Sequence, residues 1–465
     1  MLSAATTRLT SASARPLARM FATQTAASLA GPETRMTTLP NGLRVCTENN
    51  GSETASVGVW IDTGSRYETE ETNGVAHFLE HVSFKGTHKR TGPSLELEIE
   101  NMGGHLNAYT AREQTAFYAR VFKKNVPQVM ELLSDLLLNS KYEDRHIESE
   151  RSVIQRELES IEADKIEYLN DLLHSAAYQC HPLGMTILGS SENINSISRE
   201  DIQNYVKNNY TASRMVVVGA GGVDHDELVK ISADVFAGLP DVVDTKPALV
   251  KPRIIGSEIR VRNDEMPYTY VGLAHEGVSH TSPDYFPMMI AQSILGSWDR
   301  NIAGGANVSS RLARRFAVDE LVSSFAAFNI CYQDTGLFGL QMVTDNKLRL
   351  DDLLYSAQYE MVRLCLDITP EEVERAKKQY LTSVMNGLDS NSLIAEDIGR
   401  SVLSFGRRLP PAELVARVSS VTVQDVRNAC MERIYNRDPV LVGIGAIEGL
   451  PEYNRVERAT AWLRY

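Results

Sequence analysis

"SISREDIQNY", residues 196–205, runs on to "VVVGAGG" at 216–222, and 224 residues later the pattern returns as "SVTVQDVRNA" at 420–429 and "VLVGIGA" at 440–446. Ser196, Asp201, Asn204, Val216, Val218, Gly219 and Gly221 fall on Ser420, Asp425, Asn428, Val440, Val442, Gly443 and Gly445, seven identities in 26 positions with apolar matches between them. Each copy reads as a capped helix leading into a buried strand with a glycine exit. Such a repeat predicts duplication of one unit. The fold class that follows is α+β, with two homologous domains of about 200 residues, 37–235 and 258–465. The intervening segment, 236–257, is proline-rich and poorly periodic, as a linker is expected to be.

Outward from the first copy, the N-terminal half alternates strands and helices. "LPNGLRVCTE" places a Pro-Asn-Gly turn between short strand-like runs. "ASVGVWIDTGS" is rich in β-formers, and "PSLELEIENMGG" predicts a helix stopped by Gly103 and Gly104. "HLNAYTAREQTAFYARV" alternates as a strand–turn–strand hairpin. Residues 124–139 and 143–178 then predict two long helices.

Composition bounds the rest. The 465 residues are 43% hydrophobic and 23% charged, the mix of a soluble globular protein. No run of 18 apolar residues suggests a membrane span. Five cysteines, Cys46, Cys180, Cys331, Cys365 and Cys430, are scattered without CxxC spacing, which predicts free thiols in a reducing compartment. The first 20 residues carry three arginines, many Ser and Thr, and no acid before Glu33. That is the signature of a mitochondrial transit peptide, and Arg19-Met20-Phe21-Ala22 is similar to a matrix cleavage signal. Its removal takes the net charge from −13 to about −16. An acidic mature chain disfavours nucleic acid and suits basic partners.

Within "GVAHFLEHVSFKG", residues 74–86, stands His77-Phe78-Leu79-Glu80-His81, an H-x-x-E-H arrangement. On a helix, residues i and i+4 share a face, so both imidazoles can address one metal ion with Glu80 beside them as a base. Two ordinary histidines on a half-buried helix are the other reading of the motif taken alone. A catalytic zinc needs a third protein ligand. In "DRHIESERSVIQRELESIEADKIEYLNDLL", Glu150, Ile154, Glu157 and Ile161 form one helical stripe. Two carboxylates there need a cation to meet them, or the stripe is an exposed acidic face.

Together, H-x-x-E-H and a glutamate 76 residues after its second histidine resemble the inverted-motif zinc peptidases, which include pitrilysin and insulin-degrading enzyme. The resemblance runs from about Thr37 to the C-terminus. "GVAHFLEHVSFKGT", "GGHLNAYTAREQTAFYA", "ERSVIQRELE" and "GSWDRNIAGGANVSSRL" are most similar to the β subunits of the family's mitochondrial processing branch. It implies two mostly antiparallel sheets packed with helices, forming half of a clam-shell chamber. It also implies His77, His81 and Glu157 as ligands of one zinc ion, Glu80 as general base, and Glu150 as an acid supporting catalysis. Glu167 and Asp171 match carboxylates that grip an arginine two residues before the cut; Phe84 matches a residue packing on an aromatic side chain just after it. Asn107 and Ala108 match a strand that pairs with extended substrate.

The C-terminal half lacks the metal pattern. Aligning "VGVW" (57–60) with "VGLA" (271–274) puts His77, Glu80 and His81 on Ala291, Ile294 and Leu295, and leaves His275 and His280 as surface or packing histidines. The resemblance thus implies a mitochondrial matrix endopeptidase that removes N-terminal presequences and works as a heterodimer with an α subunit. It allows one other expectation: a core subunit of respiratory complex III, structural or bifunctional.

Overall fold

The computed structural model describes residues 31–461 apart from 241–248, 303, 305 and 306. The transit-peptide reading of 1–20, with its cleavage signal at 19–22, lies outside the described residues, as does the middle of the 236–257 linker. Among the described residues, twelve strands form two six-stranded sheets. The first holds β1 (Thr34–Thr38), β2 (Arg44–Asn49), β3 (Thr54–Ile61), β4 (His105–Thr110), β5 (Thr115–Phe122) and β6 (Met215–Gly221), in the order β1-β2-β6-β3-β5-β4. The second holds β7 (Ser257–Arg262), β8 (Thr269–Glu276), β9 (Ser297–Asp299), β10 (Ser324–Cys331), β11 (Gly336–Thr344) and β12 (Val440–Gly445), in the order β7-β12-β8-β11-β10-β9. Both are antiparallel except for one parallel pair each, β2–β6 and β7–β12. The expected class, two similar α+β sheets, is what the chain builds.

The two repeat copies occupy matching places. Ser198 and Asp201 cap the helix Arg199–Asn209 reciprocally, and Thr422 and Asp425 do the same for Val423–Arg433. Each reciprocal pair satisfies two donors that a bare helix end leaves open. The strands that follow, β6 and β12, are buried along their whole length. Both end on a glycine in the left-handed region, Gly221 at φ 103° and Gly445 at φ 107°.

Each sheet buries one face under helices of its own half and the other under a helix lent by the opposite half. Val57, Val59 and Ile61 on β3 face the first core with Phe78, Leu79, Val82 and Leu133. On the reverse face, Trp60, Val216 and Val218 pack on Ile394, Ala395, Ile398 and Val402 of the helix Asn391–Phe405. Reciprocally, Leu169, Leu173 and Ala177 of the helix Lys165–Ala177 pack on Ala274, Val440 and Val442. Strand alternation produces this: successive side chains point to opposite faces, and the all-apolar strands have two faces to cover. Gly399 sets the approach, because a Cβ there would lie 2.5 Å from the Trp60 indole.

One expected element differs. The stretch 143–178 is not one helix but two, Asp144–Ala163 and Lys165–Ala177, interrupted at Asp164. Asp164 takes an extended ψ of 96° and its carboxylate accepts the N–H groups of Ile166 and Glu167, starting a new helix. Asp is a strong N-cap, and the break redirects the chain from the first core onto the second sheet.

Candidate metal centre

The motif helix, Val75–Ser83, starts at Gly74, whose φ of 101° and whose contact with the Leu188 carbonyl leave no room for a Cβ. Phe78, Leu79 and Val82 anchor it in the first core. His77 and His81 then lie on the face toward the long helix Asp144–Ala163, with ring centroids 4.7 Å apart. From that helix Glu157 reaches both: its Oε1 is 3.5 Å from His77 Nε2 and its Oε2 is 3.1 Å from His81 Nε2. One donor atom from each of the three residues lies within 4.8 Å of the others, and among the described residues they are the one such His/Cys/Asp/Glu group.

The donor set fits a divalent cation. Hydrogen bonds from His77 and His81 hold the Glu157 carboxyl far below the usual carboxylate range. Burial alone would lower the pKa of His81, but hydrogen bonds to Glu157 and Glu150 outweigh it and the net shift is upward. The field at this point therefore favours positive charge, whether as a proton on His81 or as a divalent cation between the three donors. Glu150, 5% exposed, lies 3.2 Å from His81 Nδ1 and 2.8 Å from the Lys85 ammonium. An Nδ1–H donated to Glu150 leaves Nε2 as the lone-pair nitrogen facing Glu157, the tautomer that metal ligation needs. Glu80, the residue before His81, accepts a 2.6 Å hydrogen bond at Oε2 from the Thr110 hydroxyl at the end of β4.

The other sequence-predicted residues are placed as follows. Asn107 and Ala108 sit on β4, the outermost strand, whose far edge pairs with no described strand. In the second sheet the corresponding strand, β10, is covered by β9, with Phe325 opposite Trp298. Phe84 lies just past the motif helix and packs on the first core, 6.1 Å from the Phe117 ring. Glu167 is exposed on the helix Lys165–Ala177. Asp171, four residues on, already meets Arg112 at 2.8 Å. Ala291, Ile294 and Leu295 are buried core of the second half, as their alignment on the metal motif requires. His275 is a packing residue whose pKa burial pulls down to about 4; His280 packs against Tyr285 and Phe405.

Sequence reasoning missed Glu68. This carboxylate, 5% exposed, accepts the N–H groups of Gly74 at 2.9 Å and Ala76 at 2.7 Å and the Asn73 amide at 2.8 Å. Burial pushes its pKa up to about 8 against the pull of those bonds. It ties down the first turn of the motif helix and so fixes the height of His77. Glu68→Leu strips three buried donors of this acceptor, at a cost of about 1–3 kcal/mol for each left unpaired, read as a lower thermal midpoint with weaker metal binding in a titration. An unchanged midpoint would contradict this role.

Comparison with known proteins adds to this geometry. Residues 44–191 match the insulinase family, peptidase family M16, and residues 196–380 match the M16 inactive domain. The chain is 48% identical to "Mitochondrial-processing peptidase subunit beta" of Blastocladiella emersonii, over all of both chains. It is 46% identical to the human protein of the same name, over 93% of this chain and 88% of that one. Among solved structures, a chain of "Complex III2 from Candida albicans, Inz-5 bound" superposes with a TM-score of 0.82 at 26% identity, covering 92% of this chain and all of that one.

Proposed function

The chain belongs to the insulinase family of peptidases, M16, and from that footing we propose that it is the catalytic β subunit of a mitochondrial matrix endopeptidase that removes N-terminal presequences, cutting shortly after an arginine. The observation that carries the proposal is the meeting of His77, His81 and Glu157 from two helices, with Glu80 alongside. Full-length relatives bearing the β-subunit name support it. Residues 37–235 form the metal-bearing domain and 258–465 the domain without it, joined by 236–257.

His77, His81 and Glu157 would hold one zinc ion, since two imidazoles and a carboxylate are a catalytic zinc set. When bound, that ion supplies Lewis-acid polarisation of a peptide carbonyl and makes a water acidic near neutral pH. Glu80 takes the proton from the attacking water and returns it to the leaving amine nitrogen. Thr110, through its hydroxyl, keeps the Glu80 carboxylate turned to that task. The open edge of β4 at Asn107 and Ala108 receives the extended substrate by strand addition, and Phe84 packs near its residue after the cut. Glu167 and Asp171 receive the arginine, and the chain's negative charge draws an arginine-rich, acid-free presequence toward them.

The partner is an α subunit of the same peptidase, and cleavage needs both chains. The likeness to a complex III chain favours a second place for the protein, as a core subunit of that assembly. Incubation of a synthetic presequence with the chain, alone and with its α subunit, tests the first reading: cleavage by the pair alone is expected, and absence of cleavage by the pair overturns it. Co-migration of the native protein with complex III tests the second.

A further inference from the structure

The turn joining β4 and β5 carries Arg112 into the protein, where its side chain is 9% exposed. Its Nη2–H donates to Asp171 Oδ1 at 2.8 Å and its Nε–H to the Leu183 carbonyl at 3.2 Å. The Tyr332 hydroxyl, from the turn between β10 and β11, lies 2.7 Å from Nε2 of His174, a residue on the same helix as Asp171. The same turn grips the neighbouring residue: the Gln333 N–H donates to Glu113 at 3.0 Å, and Asp334 pairs with Arg66 at 2.7 Å, which also pairs with Glu113. The second half of the chain thus braces, through Glu113, the turn that carries Arg112.

This changes how Glu167 and Asp171 can work. Two carboxylates at i and i+4 on one helix repel each other, and one of them here is largely withdrawn from water. Arg112 neutralises Asp171 and engages its Oδ1, while Glu167, four residues earlier on the same helix, is exposed. The pair then carries a net single negative charge, balanced by one incoming guanidinium. A charge-alternating row results: Arg112, Asp171, substrate arginine, Glu167. We propose that Arg112 is a positioning residue for arginine recognition, orienting Asp171 so that it and Glu167 together accept a forked guanidinium rather than a compact ammonium. The inference rests on the reading that these two carboxylates receive the substrate arginine. Fixing the carboxylate matters because bidentate pairing depends on geometry that a lysine point charge does not need.

The test uses the chain assembled with its α subunit and two presequence peptides that differ only in arginine or lysine two residues before the cut. The readout is the ratio of kcat/KM for the two peptides, which is independent of the fraction of each preparation that is folded. Arg112→Gln is expected to lower the arginine preference by about ten- to a hundredfold, mainly through KM for the arginine peptide. Arg112→Lys should keep part of it, and Arg112→Gln should change nothing further in an Asp171→Asn background. If Asp171→Asn collapses the preference and Arg112→Gln does not, the proposal is overturned. If Asp171→Asn itself leaves the preference intact, the underlying assignment of the carboxylates is wrong and the proposal goes with it.

Discussion

Glu80→Gln lowers kcat for a presequence peptide by about 10²- to 10⁴-fold, with metal content and KM unchanged. The amide is nearly the same shape as the carboxylate, and its oxygen can still accept the 2.6 Å hydrogen bond from Thr110. What it loses is basicity: an amide cannot take a proton from water or return one to the departing nitrogen. Because Glu80 is not one of the three clustered donors, its replacement leaves His77, His81 and Glu157 intact. The loss corresponds to about 3–5 kcal/mol of transition-state stabilisation. Rate measurements on the assembled heterodimer, paired with metal analysis, separate this outcome from simple unfolding. Equal kcat in the variant would remove Glu80 from the mechanism.

Glu157→Gln produces a different failure. Among the described residues, Glu157 is the one carboxylate paired with both imidazoles, and it brings the negative charge that a divalent ion needs at this spot. Even partners one step removed from a metal cost tenfold to a hundredfold in affinity when lost, so loss of this ligand should exceed about 100-fold. Activity falls to background at stoichiometric metal and recovers in part with excess. Stability follows the same route: an ion at a hundred times its Kd stabilises the folded chain by about 2.7 kcal/mol. A chelator therefore lowers the thermal midpoint of the wild type and leaves that of Glu157→Gln almost unmoved. A variant that binds metal as tightly as the wild type would contradict the ligand set.

How much of this could be read from the residues depended on the distance over which each relation acts. The histidines at 77 and 81 are legible because i, i+4 spacing is a local property of a helix. Glu157 could be seen only as part of a stripe; that it meets the histidines is a tertiary fact, set by how the long helix lies against the motif helix. The repeat revealed two sheets, yet amphipathic pattern says nothing about which sheet a helix covers, so the exchange of Lys165–Ala177 and Asn391–Phe405 between halves was not foreseeable. The break at Asp164 was missed because the flanking residues are good helix formers and an Asp inside acidic sequence does not stand out as a cap. Glu68 was hidden similarly, one acid beside Glu70 and Glu71, distinguished only by burial. Arg112 and Asp171 are 59 residues apart, and nothing in either neighbourhood names the other.

The most direct measurement is an anomalous-difference map collected at the zinc absorption edge from crystals of the zinc-loaded protein. One peak is predicted, flanked by the Nε2 atoms of His77 and His81 and by a Glu157 oxygen, with the Glu80 carboxylate beside it. A peak elsewhere, or one at the histidines with Glu157 turned away into solvent, would contradict it.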